Sequence, residues 1–253
     1  MNQMKPTTFL ACALALVTVA GCNSKQGDAA TNAPAKVKAV PPPKGGDWST
    51  VVTATPAGGF MMGNPNAAVK LIEYGSLTCP HCREFDEKGV PPLIANYVKS
   101  GRVSWEFRNY VRDAFDLAAS LVARCNGEKT FFPLSRALYN DQLVWVAKIQ
   151  AVPPEQIEQL QNLPPNQQFV ELAKVAGFQD WAAARGVPVA KTNQCLANEN
   201  SVNQLVQMTS DATSQFPEFP GTPTFILNGT MLDKTATWDK LEPELRKAVG
   251  ERG

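Results

Sequence analysis

Two mostly apolar stretches with a helix-compatible run between them begin the globular part of the chain. Residues 69–74 (VKLIEY) are largely hydrophobic, which predicts a strand in the middle of a sheet, ended by Gly75. Residues 102–110 (RVSWEFRNY) alternate apolar and polar positions, the pattern of a strand buried on one face. The run between them fits a helix that is kinked or restarted at Pro91-Pro92. This order predicts a strand–helix–strand unit.

The second half of the chain is predicted to be helical until close to its end. Residues 113–220 show helical periodicity with few strand signals, and proline pairs divide them into several short helices. Residues 224–227 then form a short strand, and Asn228-Gly229 predicts a tight turn into a second strand at 230–232. Apolar residues recur at helical spacing from Trp238 to Leu245, so a hairpin and a helix end the chain.

The composition fits a folded protein that does not bind nucleic acid. Of 253 residues, 44% are hydrophobic and 19% are charged, which is enough to bury a sizeable core. The formal net charge is +1, so there is no basic excess to neutralise a phosphate backbone. His81 is the sole histidine, which excludes metal sites and catalytic triads that need several imidazoles.

The N-terminus has the pattern of an export signal. Lys5 precedes an apolar run too short to span a bilayer, and residues 19–22 (VAGC) close that run with small residues. This ending resembles the lipobox of bacterial lipoproteins, which implies cleavage after Gly21 and acylation of Cys22. By the same resemblance, Asn23 implies the outer membrane, so we expect a lipoprotein anchored in the periplasm. The alternative is an ordinary secretory signal cut nearby.

A polar segment follows the lipobox. Residues 23–46 are rich in Ala, Pro, Gly and Lys and contain no aromatic residue. Such a composition does not form a packed element. We therefore expect a flexible tether between the lipid anchor and a folded domain that starts at Trp48.

The candidate chemistry is concentrated in Cys79-Pro80-His81-Cys82, at the start of the first predicted helix. A C-x-x-C motif beside a βαβ unit is typical of thioredoxin-like redox proteins. A helix N-terminus presents unpaired N–H groups and the positive end of the helix dipole, which favour a thiolate on Cys79. Cys79 is therefore the expected nucleophile, and Cys82, one turn later, is the thiol that resolves mixed disulfides.

Pro80 and His81 fit the same role. Pro80, at the first helical position, has no N–H to leave unpaired. His81 can supply a positive charge or a hydrogen bond to the Cys79 thiolate, which would make the disulfide a stronger oxidant, whereas its alternative is a solvated turn residue. The competing interpretation of the motif is half of a zinc site. It needs two further ligands, and Cys125 and Cys195 are single, so we expect no metal.

With these motifs, residues 57–250 resemble the DsbA-like thiol:disulfide oxidoreductases of the thioredoxin superfamily. The tetrapeptide at 79–82 is identical to the DsbA active-site motif. Thr222-Pro223 resembles the family's cis-proline, which implies a loop that lies against the redox motif and binds extended substrate. Glu73 has the spacing of the superfamily's buried acid, which assists proton transfer at the second cysteine. The alternative for Glu73 is an edge carboxylate that faces water.

The resemblance implies an α/β protein in which a thioredoxin fold is interrupted by an inserted helical domain. The boundaries we expect are a lipoprotein signal peptide at 1–21, a lipidated cysteine and flexible tether at 22–47, a first thioredoxin-like part at 48–112, the helical insertion at 113–220 and a second thioredoxin-like part at 221–253. Cys125 and Cys195 both fall in the insertion. In an oxidising compartment the leading interpretation is a structural disulfide, with two unbonded thiols or a second redox relay as alternatives.

The resemblance implies an enzyme that needs no cofactor. We expect a monomer that donates its Cys79–Cys82 disulfide to exported proteins and is reoxidised by a DsbB-like membrane protein. Thr222 matches the threonine of isomerase-type relatives, so the second hypothesis is a reductase or isomerase kept reduced by a DsbD-like partner. The third hypothesis is a binding module that holds Cu(I) or another soft ion between the two cysteines.

Overall fold

The computed structural model describes residues 36–43 and 46–251. Within these ranges six strands form one mixed sheet in the order β1-β2-β4-β3-β5-β6, in which β3 and β4 are parallel and the other neighbours antiparallel. The strands are β1 (Val52–Ala54), β2 (Phe60–Met62), β3 (Val69–Gly75), β4 (Val103–Asn109), β5 (Thr224–Leu227) and β6 (Thr230–Met231).

Strand β3 lies inside the sheet, as its continuous apolar sequence predicts. It pairs with β4 on one side, where Leu71 is opposite Trp105, and with β5 on the other, where Glu73 is opposite Phe225. Leu71 is 1% exposed and Phe225 is fully buried. One face of this strand is buried along its whole length, and the other is exposed at Lys70, half-buried at Ile72 and buried at Tyr74.

The helix between β3 and β4 is interrupted where the double proline predicts it. Helix α1 (Pro80–Lys88) ends before Gly89, and α2 (Val90–Leu93) restarts with a proline in its first turn. One π-helical turn, Ile94–Val98, then leads to β4. This restart is confirmed, because a proline lacks the N–H that would continue the bonding of α1.

From β4 to β5 the described chain forms helices and no strand. They are α3 (Ala114–Arg124), α4 (Glu128–Asn140), α5 (Gln142–Gln150), α6 (Pro154–Gln161), α7 (Pro165–Ala176), α8 (Phe178–Ala183), α9 (Val189–Leu196) and α10 (Glu199–Gln215). They share one hydrophobic core with the sheet: Phe131 of α4 stacks on Phe60 of β2 with ring centroids 4.3 Å apart. The expected fold class, a thioredoxin fold interrupted by helices, is confirmed.

The predicted C-terminal hairpin and helix are also present. Asn228 and Gly229 have positive φ angles of 50° and 86°, which the tight turn between β5 and β6 requires. Helix α11 (Trp238–Ala248) follows and buries Leu241 and Leu245. Strands β1 and β2 were not predicted, because segments of three residues carry too little periodicity to be recognised.

The expected tether needs a correction at its C-terminal end. The backbone N–H of Val37 donates to the carbonyl of Val249, and that of Val40 donates to the carbonyl of Ser100, each at 2.9 Å. The indole of Trp48 donates to the carbonyl of Val40. Residues 36–43 are therefore bound to the domain, because free carbonyl groups at the ends of helical segments accept from them. No helix in the described ranges is both long and apolar enough to cross a membrane.

Candidate active site

Cys79 lies at the N-terminus of α1, immediately after β3 and a short loop. Its backbone is extended (φ −80°, ψ 123°), it acts as the N-cap, and Pro80 is the first helical residue. Its carbonyl accepts the N–H of Arg83 at 3.2 Å, while its sulfur is a free thiol. Although the residue is only 3% exposed, its sulfur faces the unpaired N–H groups of the first turn.

The environment of Cys79 favours the thiolate. The pKa of its thiol is lowered from 9.0 to about 5. The largest cause is a hydrogen bond with the side chain of Cys82, and the Thr222 side chain and the backbone N–H groups of Cys82 and His81 act in the same direction. Burial opposes them but does not prevail. At neutral pH Cys79 is therefore ionised, which makes it both a nucleophile and a good leaving group.

Cys82 has the opposite properties. It is fully buried, and the N–H of Ser76 approaches its sulfur at 3.5 Å. Burial raises the pKa of Cys82 well above 9.0, and the hydrogen bond with Cys79 and the charges of Cys79 and Glu73 raise it further. The proton therefore stays on Cys82 while Cys79 carries the charge.

Glu73 lies in the interior of the sheet rather than facing water at an edge. It is 1% exposed, and its Oε2 accepts a hydrogen bond of 3.1 Å from the indole of Trp105. Burial raises the pKa of Glu73 well above 4.5, the charge of Asp86 adds to the rise, and the Trp105 bond opposes it. Asp86 is itself 9% exposed, and burial raises its pKa to about 6 although Arg136 pairs with it. Glu73 is thus a buried acid near the redox pair, and its surroundings favour its protonated form.

The Thr222-Pro223 segment lies directly against the nucleophile. The sulfur of Cys79 lies 3.2 Å from the carbonyl oxygen of Thr222, to which its thiol donates when it is protonated, although 143 residues separate the two. The Thr222-Pro223 peptide bond is cis, and β5 begins at the next residue. The structure therefore brings together Cys79, Cys82, Glu73, Thr222 and Pro223 from three separate segments of the chain.

His81 contributes to the site through its backbone. Its N–H lowers the pKa of Cys79, and its side chain is exposed. Pro80 is exposed beside it. The His81 imidazole is therefore accessible to solvent beside the redox pair.

The helical segment contributes residues that sequence analysis missed. Asp116 is fully buried, and its carboxylate accepts the Ser76 hydroxyl at 2.6 Å and the Leu77 N–H at 2.8 Å. Burial raises the pKa of Asp116 to about 7. The Tyr139 hydroxyl donates to the carbonyl of Ser76 at 3.1 Å. The loop that leads into the redox motif is therefore held from the helical side.

A sequence signal existed for one part of this support. Asp113 is followed three residues later by Asp116, and the Asp113 side chain accepts the Asp116 N–H at 2.8 Å as the N-cap of α3. An aspartate before an apolar helical run predicts such a helix start. No local pattern indicates that this helix start meets the loop at 76–79, because that contact spans about 40 residues of sequence.

The remaining candidate cysteines do not join this site. Cys125, at the end of α3, and Cys195, in α9, form a disulfide with an S–S distance of 2.02 Å. Cys22, the candidate lipidation residue, lies outside the described residues. Across residues 36–43 and 46–251, no group of three or more His, Cys, Asp and Glu side chains is arranged to hold a metal ion.

Known proteins share this architecture. The family described as Thioredoxin matches residues 55–247. A protein-disulfide isomerase from Novosphingobium aromaticivorans is 31% identical, with a TM-score of 0.72 over 76% of this chain and 97% of that one. Alpha-DsbA1 of Wolbachia pipientis has a TM-score of 0.59 at 20% identity, over 83% of this chain and 94% of its own.

Sequence relatives agree with the structural ones. A Rickettsia felis protein named "Putative protein-disulfide oxidoreductase" is 24% identical over 194 residues, which are 76% of this chain and 61% of the relative. The chain spans about three fifths of the length of the first curated relatives that it matches. The thioredoxin resemblance drawn from the two motifs is thus confirmed: the chain belongs to the thioredoxin family, and it shares with alpha-DsbA1 a fold in which helices α3–α10 lie between the two parts of the thioredoxin fold.

Proposed function

We propose that this protein is a thiol:disulfide interchange enzyme that donates the Cys79–Cys82 disulfide to exported proteins. The observation that carries the proposal is the difference between the two thiols: the pKa of Cys79 is lowered to about 5, whereas that of Cys82 is raised well above 9.0. A stabilised Cys79 thiolate favours the reduced form of the enzyme. The oxidised form therefore gives its disulfide away readily.

The reaction proceeds by two exchanges. A substrate thiolate attacks the Cys79 sulfur of the oxidised enzyme, which forms a mixed disulfide, breaks the Cys79–Cys82 bond and releases Cys82 as a thiolate. A second substrate thiolate then attacks the substrate sulfur of the mixed disulfide, which forms the substrate disulfide and releases Cys79 as a thiolate. Two electrons pass from the substrate to the enzyme, so no cofactor is needed.

Glu73 supplies the proton that Cys82 needs in the first exchange. Its own pKa is raised by burial, and its charge is one of the causes that raise the pKa of Cys82. A carboxylate beside a buried thiolate is unfavourable, so Glu73 is protonated while Cys82 carries the charge. Moving the proton from Glu73 to Cys82 transfers the single buried charge from the sulfur to the carboxylate. The same groups return the proton when the enzyme is reoxidised.

Thr222 and Pro223 bind the substrate segment beside its cysteine. The Thr222 carbonyl lies 3.2 Å from the Cys79 sulfur, so backbone groups next to it are within reach of a peptide joined to that sulfur. An extended peptide gains main-chain hydrogen bonds there without any requirement for particular side chains. This arrangement favours unfolded or partly folded proteins as substrates.

Reoxidation passes the two electrons to a membrane protein that resembles DsbB. The second candidate function, a reductase or isomerase kept reduced by a DsbD-like protein, is favoured by Thr222 and by the name of the Novosphingobium relative, a protein-disulfide isomerase. The two functions differ in the resting state of Cys79 and Cys82. Donation requires the disulfide, and isomerisation requires the thiols.

The reduction potential of the Cys79–Cys82 pair separates these functions. We expect equilibration of residues 36–253 with glutathione, with Cys125–Cys195 intact, to give a value near the roughly −120 mV typical of DsbA. A value near the roughly −270 mV of thioredoxin would overturn the oxidase and favour a reductant. Oxidation of a reduced, unfolded substrate protein by a stoichiometric amount of oxidised enzyme is the matching activity assay, and Cys79→Ser is its inactive control.

We also propose that the protein is lipidated at Cys22 and faces the periplasm from the outer membrane. The supporting sequence is Val19-Ala20-Gly21-Cys22 followed by Asn23. Incorporation of labelled palmitate in the full chain, and its loss in Cys22→Ser, tests the anchor. Equal labelling of the variant would overturn it.

A further inference from the structure

Gln142, the first residue of α5, reaches the nucleophilic cysteine from the helical segment. Its side-chain Nε2 donates to the carbonyl of Leu77 at 2.7 Å and to the carbonyl of Cys79 at 3.0 Å. The residue is 2% exposed. One buried amide group therefore bridges the turn before α1 and ends on the residue that carries the reacting sulfur.

The start of α5 is itself fixed by neighbouring helices. Asp141, the residue before Gln142, accepts the indole N–H of Trp181 at 2.8 Å and an N–H of Arg185 at 2.7 Å. Trp145, one turn later, is 2% exposed and donates to the carbonyl of Leu138 at 2.9 Å. A second layer of contacts therefore supports the amide of Gln142. Such support is needed for a side chain that positions a reactive group.

The hydrogen bond from Gln142 to the Cys79 carbonyl affects the reactivity of Cys79, because its thiolate is stabilised only while the sulfur is aligned with nearby N–H groups. The backbone N–H groups of His81 and Cys82 lower the pKa of Cys79, so the sulfur must stay in front of them. The carbonyl of Cys79 fixes the backbone from which that sulfur extends. Without the amide donor, the Leu77 carbonyl would lose this bond and the Cys79 carbonyl would keep the bond from the Arg83 N–H, so the turn would shift in response.

We propose that Gln142 is a positioning residue that holds Cys79 for thiol exchange, so that the helical segment tunes the reactivity of the redox pair. The inference rests on the exchange function proposed above. It assigns to the helices between β4 and β5 a direct effect on the chemistry in addition to their packing on the sheet.

Two matched variants test this role in the full chain. Gln142→Met keeps an unbranched side chain of similar length and removes the donor. Gln179→Met is the control, because Gln179 is also buried, at 7% exposure, and its Nε2 donates to the carbonyl of Val170 at 2.8 Å within the helical segment. Both variants lose a buried hydrogen bond, but only the first loses one to Cys79.

We expect Gln142→Met to raise the pKa of Cys79 by about one, read from thiolate absorbance at 240 nm in the reduced protein. The equilibrium constant with glutathione then moves about tenfold towards a more reducing pair. Gln179→Met should unfold at a lower denaturant concentration than the wild type, while its Cys79 pKa and its equilibrium constant with glutathione stay unchanged. The proposal would be overturned if Cys79 kept its wild-type pKa in Gln142→Met, or if its pKa shifted by the same amount in Gln179→Met.

A measurement on the wild-type protein tests the role without any variant. In the reduced protein, the side-chain NH₂ resonances of Gln142 should titrate with the same midpoint as the Cys79 thiolate, while those of Gln179 stay constant. Absence of that response would contradict the proposal. Neither measurement uses a protein substrate, so failure to oxidise exported proteins would count against the proposed function and leave the role of Gln142 intact.

Discussion

The indole Nε1 of Trp105 donates a hydrogen bond of 3.1 Å to Oε2 of Glu73, across the parallel pair of β3 and β4. Trp105 is opposite Leu71, so its ring reaches two residues further along β3 to the carboxyl group. Both side chains are buried, at 2% and 1% exposure. The bond opposes the effect of burial on the pKa of Glu73 and so influences how readily that acid releases its proton.

Trp105→Phe should raise the pKa of Glu73 further, because the ring remains and the donor is lost. The measurement is a carboxyl-carbon NMR titration of the reduced protein, with Glu73→Gln to assign the resonance. Trp145→Phe is the control, because the Trp145 indole donates to the Leu138 carbonyl and not to a carboxylate. An unchanged pKa in Trp105→Phe would show that the indole bond has no influence on Glu73.

Glu73→Gln should stabilise the reduced protein at neutral and alkaline pH. Because the pKa of Glu73 is higher in the folded chain, its contribution to stability is fully present below the unfolded value of 4.5 and is lost as the pH rises through the folded value. The free energy of unfolding of the variant relative to the wild type should therefore increase as the pH rises from 4.5 towards the folded pKa, by at most about 1.4 kcal/mol per pH unit. Denaturant unfolding at pH 4.5 and pH 8 measures the difference.

Glu84→Gln is the control for that prediction. Glu84 is on α1, and its pKa is lowered by a side-chain hydrogen bond with Lys88. A lowered pKa gives stability above the unfolded value that is lost as the pH falls. The free energy of unfolding of the two variants, relative to the wild type, should thus change with pH in opposite directions. A value for Glu73→Gln that does not vary with pH would contradict the effect of burial on the Glu73 carboxyl group.

Substitutions of Cys82 should separate the loss of its thiol from the loss of its hydrogen bond. Cys82→Ser keeps a hydroxyl donor beside Cys79, so the Cys79 pKa should remain near the wild-type value of about 5. Cys82→Ala removes the largest cause of the lowered pKa, which should then rise towards 9.0. Absorbance at 240 nm gives both values, and identical titrations in the two variants would refute this explanation.

The Cys125–Cys195 disulfide should contribute to stability and not to exchange. Its cysteines are 70 residues apart, and a loop of that length corresponds to about 4 kcal/mol in the chain-entropy description. We expect the double variant Cys125→Ala/Cys195→Ala to lose stability of that order in denaturant unfolding, with the Cys79 pKa unchanged. A change in that pKa would indicate that the second disulfide acts on the redox site.

Local patterns were sufficient for most of the thioredoxin-like elements. Strands β3 and β4, the interrupted helix between them and the hairpin at Asn228-Gly229 follow from hydrophobic periodicity, proline and turn residues, all of which act within a few positions. The redox motif was recognisable for the same reason. Cys79-Pro80-His81-Cys82 carries its meaning in four consecutive residues at a helix start.

Longer-range contacts were beyond sequence reasoning. Strands β1 and β2 are three residues each and are stabilised by pairing with each other and with β4, which no local pattern reveals. The final part of the predicted tether was misjudged, because its composition gives no sign that Val37 and Val40 bond to distant carbonyl groups.

The sequence by itself determined the two reactive thiols, the helix that begins beside them and the acid at position 73, because each depends on residue type and short spacing. Only the tertiary structure decided which distant groups contact these residues. The Thr222 carbonyl is 143 residues from Cys79, the Gln142 amide is 63 residues away, and Trp105 is 32 residues from Glu73. Burial and hydrogen bonding set a pKa through groups that are close in space, and that closeness exists only in the folded chain.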